Sequence, residues 1–200
     1  MIYVIDDDPS VREAIQNLLE SVGLAAQTFG SSQEFLRADH AEEPSCLILD
    51  VRLPGMSGLE FQASLRKQEI FLPVIFITAH GDVPMTSRAM KAGAIEFLMK
   101  PFQKEELLAA VRHGLDRDEQ RRREQAEVDE LRTRFDQLTP REREVMDLVV
   151  TGRTNKEIGS EIGLSEVTVK IHRSRMMQKM QVTSVAELVR ISDKLQRAVP

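Results

Sequence analysis

The sequence has a single cysteine, Cys46, which excludes an internal disulfide, and no group of Cys and His residues has the spacing of a zinc site. No apolar run approaches the roughly 18–20 residues that cross a bilayer. The first segment, Met1–Ile5, has no basic region before its apolar residues, so we expect no signal peptide. These absences favour a protein of the reducing cytoplasm that has no contact with the membrane.

Charge is distributed unevenly along the chain, although the total is only −5. Residues 1–113 carry a net charge of −6, residues 114–138 carry −2, and residues 139–200 carry +3. An acidic first half and a basic tail predict two domains with different partners. Hydrophobic residues make up 42% of the chain and charged residues 30%, which is a globular composition and excludes a fully disordered protein.

Five short apolar runs alternate with segments of helical spacing in the first half. The runs are Ile2–Ile5, Leu24–Thr28, Cys46–Leu49, Pro73–Ile77 and Ile95–Met99. Short apolar strands separated by helices are typical of a parallel sheet that is covered on both faces. The fold class predicted for this half is therefore α/β.

Polar residues follow these runs directly: Asp6, Asp7, Asp50, Thr78 and Lys100. Ligands of such sheets bind at the carboxyl ends of the strands. Three crowded carboxylates need a cation, and hard oxygen ligands suit Mg²⁺. With a lysine and a hydroxyl nearby, the predicted chemistry is phosphoryl transfer onto an aspartate. In the alternative interpretation the acids only cap the next helices, although Asp50 lies too far from the following helix start at Ser57.

The stretch from Asp116 to Asp136 is dense in charges of both signs, and it predicts either one long helix or a solvated tether. Four apolar residues recur there at intervals of three and four, at Val128, Leu131, Phe135 and Leu138. Such spacing predicts a short seam for pairing with another helix, although it is shorter than a coiled coil requires.

The basic tail predicts four short helices. Capping-box patterns begin at Thr139, Thr154 and Ser184, and Gly163 separates the second helix from the third, which gives a helix-turn-helix pattern. On the third helix, 100° per residue puts Val169, His172, Met176 and Met180 on one face and Val167, Ile171, Ser174 and Gln178 on the opposite one. A face of short side chains rimmed by bases suits the major groove of DNA.

Four motifs of the first half resemble bacterial response-regulator receiver domains in order and spacing. They are Val4–Asp8, Leu49–Gly58, Ile77–Ala79 and Lys100–Phe102. The resemblance implies a flavodoxin-like, doubly wound sheet of five parallel strands, with Asp50 as the phosphoacceptor.

The same resemblance implies roles for the residues around Asp50. Asp6 and Asp7 would hold Mg²⁺ together with Asp50 and the backbone carbonyl of Arg52. Thr78 and Lys100 would contact the phosphoryl group. The aromatic switch position would be Phe97, where many relatives have tyrosine, so a hydroxyl hydrogen bond is lost.

The tail looks like a LuxR-type DNA-binding domain, on the motifs Leu138–Val145, Thr154–Ile158 and Thr168–His172. The two resemblances together are those of the NarL/FixJ response regulators, and Gly81–Ala94 favours the FixJ branch. By analogy, the residues expected to contact DNA are Lys170, Ile171, Ser174, Arg175, Thr154 and Lys156.

The resulting prediction is a phosphorylation-switched transcription regulator, most simply an activator, and not an enzyme. Its domains would be a receiver at residues 1–116, a linker helix at 117–137 and an all-α four-helix DNA-binding domain at 138–200. Expected partners are a sensor histidine kinase, double-stranded DNA, RNA polymerase and a second copy of the chain once it is phosphorylated. The alternatives are a phosphohydrolase with an aspartate nucleophile and a DNA-binding protein that is never phosphorylated.

Overall fold

The computed structural model describes residues 1–197, and the chain divides into a first compact unit, Met1–Arg122, and a second that begins at Arg123. Helix α5 supplies residues to both units. The elements up to α5 are β1 (Ile2–Ile5), α1 (Pro9–Ser21), β2 (Ala26–Phe29), α2 (Ser32–Arg37), β3 (Cys46–Asp50), α3 (Gly58–Lys67), β4 (Val74–Thr78), α4 (Val83–Lys91), β5 (Glu96–Met99) and α5 (Lys104–Asp136).

The first unit is built on a five-stranded sheet in which every neighbouring pair is parallel, in the order β2-β1-β3-β4-β5. This is the flavodoxin-like order of the doubly wound folds, so the fold class predicted from the sequence is confirmed. The strands β1, β3 and β4 are buried along their whole length, because helices cover both faces of the sheet.

Alternate residues of the central strands belong to two separate cores. On one face Tyr3, Leu49 and Phe76 pack with Phe35 and Phe61 of α2 and α3. The core on the other face contains Ile2, Val4, Ile48, Ile75, Leu19 of α1 and Val111 of α5. The period of two along each strand thus places helices on both sides and leaves the strand ends as the site of chemistry.

Helix starts in this unit follow the capping residues that the sequence shows. Asp8 accepts a hydrogen bond from the backbone N–H of Ser10 at 2.8 Å and caps α1. Ser57 and Glu60 form a complete capping box at the start of α3. Both satisfy backbone N–H groups that a helix leaves without partners in its first turn.

The thiol of Cys46 lies inside the sheet, against α5. A Cβ atom at Gly114 would lie 3.0 Å from the Cys46 Cβ, so a larger residue there would push α5 and β3 apart by a few tenths of an ångström. Burial raises the pKa of Cys46 to about 12, which keeps the thiol protonated and unreactive.

A buried carboxylate on α5, that of Asp118, joins this helix to the loop before β3. It accepts hydrogen bonds from the backbone N–H of Ser45 at 3.0 Å, from Arg121 at 2.8 and 2.9 Å and from Arg122 at 2.7 Å. Arg122 in turn donates to the carbonyl of Glu42 at 2.8 Å. Asp118 is fully buried, and its charge is compensated by both arginines.

The second unit packs four short helices with the last part of α5. They are α6 (Pro140–Val150), α7 (Asn155–Ile162), α8 (Glu166–Met180) and α9 (Val185–Arg197). Val145, Ile158, Val169, Met176 and Leu188, one or two from each helix, form its core. The four predicted helices of the tail are all present.

The expected pairing seam on α5 was wrong. Leu131 and Leu138 are buried, and Phe135 packs against the core of the second unit. Three of the four residues of this seam, Leu131, Phe135 and Leu138, therefore stabilise the second unit from within, while Val128 is half-buried.

The turn between α7 and α8 depends on two glycines. Gly163 ends α7 with φ +70° and ψ 34°, the left-handed conformation that glycine adopts without strain. A Cβ at Gly159 would lie 2.5 Å from the carbonyl oxygen of Leu164, so α7 can approach the turn only with glycine there.

None of the helices within residues 1–197 combines the length and the apolar character that a membrane-spanning segment needs.

The Asp118 network predicts a stability difference between two neighbouring acids. Asp118→Ala should lower the free energy of unfolding by about 2–4 kcal/mol, because it leaves two arginines and the Ser45 N–H without their acceptor. Urea unfolding of the full chain measures the change. Asp116→Ala removes an exposed acid of the same helix and should change stability by less than about 0.5 kcal/mol. Equal losses in the two variants would contradict a structural role for Asp118.

Candidate functional site

Three carboxylates meet at the carboxyl edge of the sheet. Asp6 and Asp7 follow β1, Asp50 is the last residue of β3, and the pairing of Ile5 with Leu49 brings the two strand ends side by side. One oxygen atom from each of the three carboxylates lies within 4.8 Å of the others. The three acids that the sequence singled out are thus brought together.

Lys100, which follows β5, lies against two of these acids. Its Nζ is 2.5 Å from Oδ2 of Asp6 and 3.6 Å from Oδ1 of Asp50. One ammonium group therefore offsets part of the repulsion between two carboxylates, and a net negative charge remains at the site. The Lys100–Pro101 peptide bond that follows is cis.

The three carboxylates differ in exposure. Asp6 is fully buried, Asp50 is 6% exposed, and Asp7 is exposed to solvent. Burial raises the pKa of Asp50, the nearby charges of Asp6 and Asp7 raise it further, and Lys100 opposes both. Asp50 is therefore a carboxylate whose negative charge is poorly solvated and gains from any added cation.

The backbone around the acids is fixed by close contacts. Oδ1 of Asp6 accepts a hydrogen bond from the N–H of Asp8 at 3.0 Å, and Nη1 of Arg12 donates to the carbonyl of Asp6 at 2.7 Å. A Cβ at Gly58 would lie 2.4 Å from the carbonyl oxygen of Asp50. Only glycine at the start of α3 allows the loop after β3 to close this tightly.

Thr78 ends β4 and is fully buried. Its hydroxyl donates to the carbonyl of His80 at 3.2 Å and accepts from the His80 N–H at 3.3 Å, so it is engaged with the following loop. His80 itself is exposed.

Phe97 on β5 is half-buried and lies 6.3 Å from the ring of Phe76. A Cβ at Gly81 would come within 2.9 Å of the Phe97 ring and of the Met99 sulfur. The aromatic ring therefore rests against the loop that Thr78 holds, and a side chain larger than glycine would have to displace it.

The donor set at this edge fits a magnesium ion. Carboxylate oxygens are hard ligands, and Mg²⁺ is usually bound by one or two carboxylates with several waters. Asp6, Asp7 and Asp50 supply these oxygens on two adjacent strand ends. The side chain of Arg52 is exposed, and its backbone carbonyl remains a predicted fourth ligand.

The second candidate site is the exposed face of α8. Lys170, Ile171, Ser174 and Arg175 are all exposed, while Val169, Met176 and Met180 on the opposite face are buried in the core. The two faces that helical spacing assigns to this helix are therefore present. Ile171 is 46% exposed, which is unusual for an isoleucine without a partner surface.

Thr154 and Lys156, at the start of α7, lie at the surface. The hydroxyl of Thr154 donates to Glu157 at 2.8 Å and accepts from its N–H at 3.4 Å, so it already caps the helix. Lys156 is exposed, and nearby Arg173 donates to the side chain of Asn155 at 3.0 Å.

Two features escaped the sequence reasoning. Val167 is 70% exposed at the second residue of α8, where the helical projection placed it outward without giving it a role. Nothing in the sequence distinguishes Asp118 from the many charged residues around it. Its burial depends on the loop that contains Ser45, which lies 73 residues earlier in the chain.

Comparisons with known proteins match both units. Residues 2–112 match the family described as the response regulator receiver domain, and residues 136–192 match the bacterial regulatory proteins of the luxR family.

Several relatives match nearly the full length of this chain. Nodulation protein W of Bradyrhizobium diazoefficiens is 50% identical over 98% of this chain and 86% of that protein. The transcriptional regulatory protein FixJ of Azorhizobium caulinodans is 42% identical over 96% of this chain and 90% of that protein. A solved structure of the response regulator StyR covers 96% of this chain and 98% of its own, with 49% identity and a TM-score of 0.83.

Proposed function

The chain belongs to the response regulators that join a receiver domain to a LuxR-type DNA-binding domain, and on this basis we propose that phosphorylation of Asp50 controls its binding to DNA. Transcriptional regulators of two-component systems are its relatives, and the receiver implies a sensor histidine kinase as the phosphoryl donor. The observation that carries the proposal is the contact of Lys100 with both Asp6 and Asp50 at the end of the sheet.

In this proposal a carboxylate oxygen of Asp50 attacks the phosphorus of the donor, and the bond from phosphorus to the donor breaks. The product is an aspartyl phosphate. Asp50 is 6% exposed at the end of β3, at the carboxyl edge of the sheet where a donor would approach. Its poorly solvated charge makes the approach of a phosphoryl group dependent on added positive charge.

We propose that Asp6, Asp7 and Asp50 hold Mg²⁺ with the carbonyl of Arg52. The ion, when bound, neutralises the repulsion between the carboxylates and an incoming phosphoryl group. Asp6 is oriented for this role by the N–H of Asp8, and the loop after β1 is held by Arg12. These contacts preorganise the acids before any ion arrives.

Lys100 and Thr78 are the proposed contacts of the phosphoryl oxygens. The Lys100 ammonium lies 3.6 Å from Asp50 and needs only a small shift to donate to an oxygen bonded at that carboxylate. The Thr78 hydroxyl would exchange its contact with His80 for the phosphoryl group. That exchange would move the loop under Phe97 and so report phosphorylation to α4 and β5.

We propose a regulator without an enzymatic activity on other substrates. Phosphatases with an aspartate nucleophile place a second acid two residues later, and this chain has the exposed Arg52 there. With a histidine kinase and chromosomal DNA as partners, the proposed location of the protein is the cytoplasm.

The proposed DNA interface is the exposed face of α8 in the major groove. Lys170, Ile171 and Ser174 would face bases, while Arg175, Thr154 and Lys156 would contact phosphates. The Thr154 hydroxyl is already engaged in capping α7, so a DNA phosphate near Thr154 would be bound by the backbone N–H groups at the start of this helix. A basic surface of this kind binds DNA with an affinity that falls as salt rises.

Specificity in this proposal requires two copies on one site, because a single recognition helix reads few base pairs. We propose that phosphorylation favours a homodimer through α4 and β5. Three apolar side chains there are exposed, Val83 at 83%, Met90 at 44% and Met99 at 50%. A bound dimer would then recruit RNA polymerase as an activator.

The first test of this function is phosphorylation at Asp50. The full chain should take up one phosphoryl group from a small donor or a kinase with Mg²⁺ present, and chelation of the ion should abolish uptake. Asp50→Asn removes the nucleophile and keeps the shape, so labelling should disappear. Phosphate-affinity electrophoresis and mass spectrometry measure it.

Asp39→Asn is the matched control, since Asp39 is an exposed acid away from the site. It should label like the unchanged protein. Labelling that persists in Asp50→Asn would place the acceptor elsewhere.

The second test is the oligomeric state. Beryllofluoride, a mimic of aspartyl phosphate, should convert the full chain from monomer to dimer in sedimentation at micromolar concentration. Met90→Asp puts a charge on the proposed surface and should block the conversion, whereas Val22→Asp changes an exposed apolar residue directly after α1 and should not. A chain that stays monomeric with the mimic, yet binds a two-site operator at full affinity, would refute the dimer.

The third test concerns base contact by Lys170. In the beryllofluoride-treated chain, Lys170→Ala should cost about 1–3 kcal/mol on a selected operator and relax preference at one base pair. Fluorescence anisotropy on operator and random DNA measures both. Lys67→Ala, an exposed lysine of the first unit, should leave both affinities unchanged. An equal loss on both DNAs would make Lys170 a phosphate contact.

A further inference from the structure

A hollow of about 310 Å³ lies in the first unit, away from the acidic site. Its walls come from α3, the start of β4, the turn before β5 and α5. Val74, the first residue of β4, lines it, while Thr78, the last residue of that strand, lies at the acidic site. The hollow is therefore at the opposite edge of the sheet from Asp50.

Arginine side chains line this hollow on two sides, Arg66 from α3 and Arg117 and Arg121 from α5. Arg121 is paired with Asp118 at 2.8 Å, and Arg66 donates to the carbonyl of Ala92 at 2.7 Å. Within residues 1–197, the side chain of Arg117 makes no hydrogen bond or ion pair, and no acidic side chain lines the hollow. Two guanidinium charges are thus left uncompensated, and they favour an anion.

Gln62 on α3 adds a polar group of a different kind. It is 5% exposed, and its Nε2 donates to the Ala92 carbonyl at 3.4 Å. Its Oε1 is buried and has no hydrogen-bond partner among the described residues. Nearly all buried acceptors in folded proteins have a donor, but this oxygen has no surface open to the hollow. A turn of the Gln62 amide towards the hollow would let it accept from an N–H or O–H group there.

Most of the remaining lining is apolar. Leu65, Val74 and Ile95 are buried around it, and the Phe71 ring stands at its rim with 54% of the residue exposed. An exposed phenylalanine beside a basic hollow offers a surface for a ring or a branched chain. The lining thus combines an apolar wall with two guanidinium groups that have no acidic partner, and an acceptor without a donor lies behind it.

We propose that this hollow binds a small amphipathic carboxylate that also carries a hydroxyl or N–H donor. Its carboxylate is held by Arg117 and Arg66, its apolar body packs on Leu65, Ile95 and Phe71, and its donor meets Oε1 of Gln62 once that amide has turned towards the hollow. The volume is at the lower end of small-molecule pockets, which favours a compound with one ring over a polypeptide segment. This site is independent of phosphorylation at Asp50 and of DNA binding.

Calorimetric titration of the full chain with 3-(4-hydroxyphenyl)propionate tests the proposal. This probe has the carboxylate, the ring and a hydroxyl donor. Two analogues lack one group each: 3-phenylpropionate has no donor, and 2-(4-hydroxyphenyl)ethanol has no charge. We expect saturable binding at one site, about tenfold weaker without the carboxylate and several-fold weaker without the hydroxyl.

Variants then assign each group to its residue. Arg117→Gln should weaken the carboxylates about fivefold to tenfold and leave the neutral analogue unchanged. Gln62→Leu should abolish the preference for the hydroxylated probe, and it removes an acceptor without a partner, so the chain should stay folded. Arg112→Gln, an exposed arginine of α5 outside the hollow, should bind like the unchanged chain.

The proposal fails if neither carboxylate binds saturably at millimolar concentration, or if the neutral analogue binds equally well. It also fails if an acidic peptide binds more tightly than the probe, since the occupant would then be a protein. Thermal unfolding of each variant shows that it is folded, and uptake of phosphate at Asp50 is measured in the same samples. Loss of the probe site with phosphorylation intact separates this proposal from the proposed function.

Discussion

The receiver unit depends on the compensation of crowded negative charge at the end of its sheet. A parallel sheet brings the ends of β1 and β3 together, and with them Asp6 and Asp50, although the two negative charges repel each other. The Lys100 ammonium, 2.5 Å from one carboxylate and 3.6 Å from the other, reduces the repulsion between them. One positive charge does not balance the carboxylates, so a deficit of positive charge remains at the site. The same deficit, which costs stability in the resting chain, favours a bound cation, and in the proposed function that cation then lets a phosphoryl group approach Asp50.

Much of this site was predictable from the sequence because its logic is local. Each polar residue directly follows an apolar run, and a parallel sheet brings the carboxyl ends of its strands to one edge. What sequence could not show is where an apolar or charged residue finds its partner over a distance. Leu131 looked like a pairing residue and packs within its own unit. Asp118 looked like one of many surface acids and is fully buried, because Ser45 and two arginines close around it.

In the second unit, carboxylates are stabilised by hydrogen bonds at helix starts. Glu142 and Glu157 lie within capping boxes, where their carboxylates accept hydrogen bonds from the starts of their own helices. Burial opposes the ionised form of Glu142, but hydrogen bonds from Lys179 and Thr139 outweigh it and hold its pKa below the usual range. These acids are neutralised locally, so a unit with only a small net positive charge can still present lysine and arginine on the outer face of α8. Capping patterns predicted the contacts of Thr139 and Thr154, each three residues before its acid, but not the contact of Lys179, which is 37 residues from Glu142 in the sequence.

The buried Cys46 has a practical consequence for experiments on this chain. It is the only sulfhydryl in the sequence, it is fully buried, and its pKa of about 12 leaves almost no thiolate at neutral pH. Alkylating dyes and spin labels would therefore pass it by under native conditions. Two cysteines introduced at exposed positions, one on each unit, would be the only reactive thiols, so the distance between the two units could be followed spectroscopically in the otherwise unaltered chain.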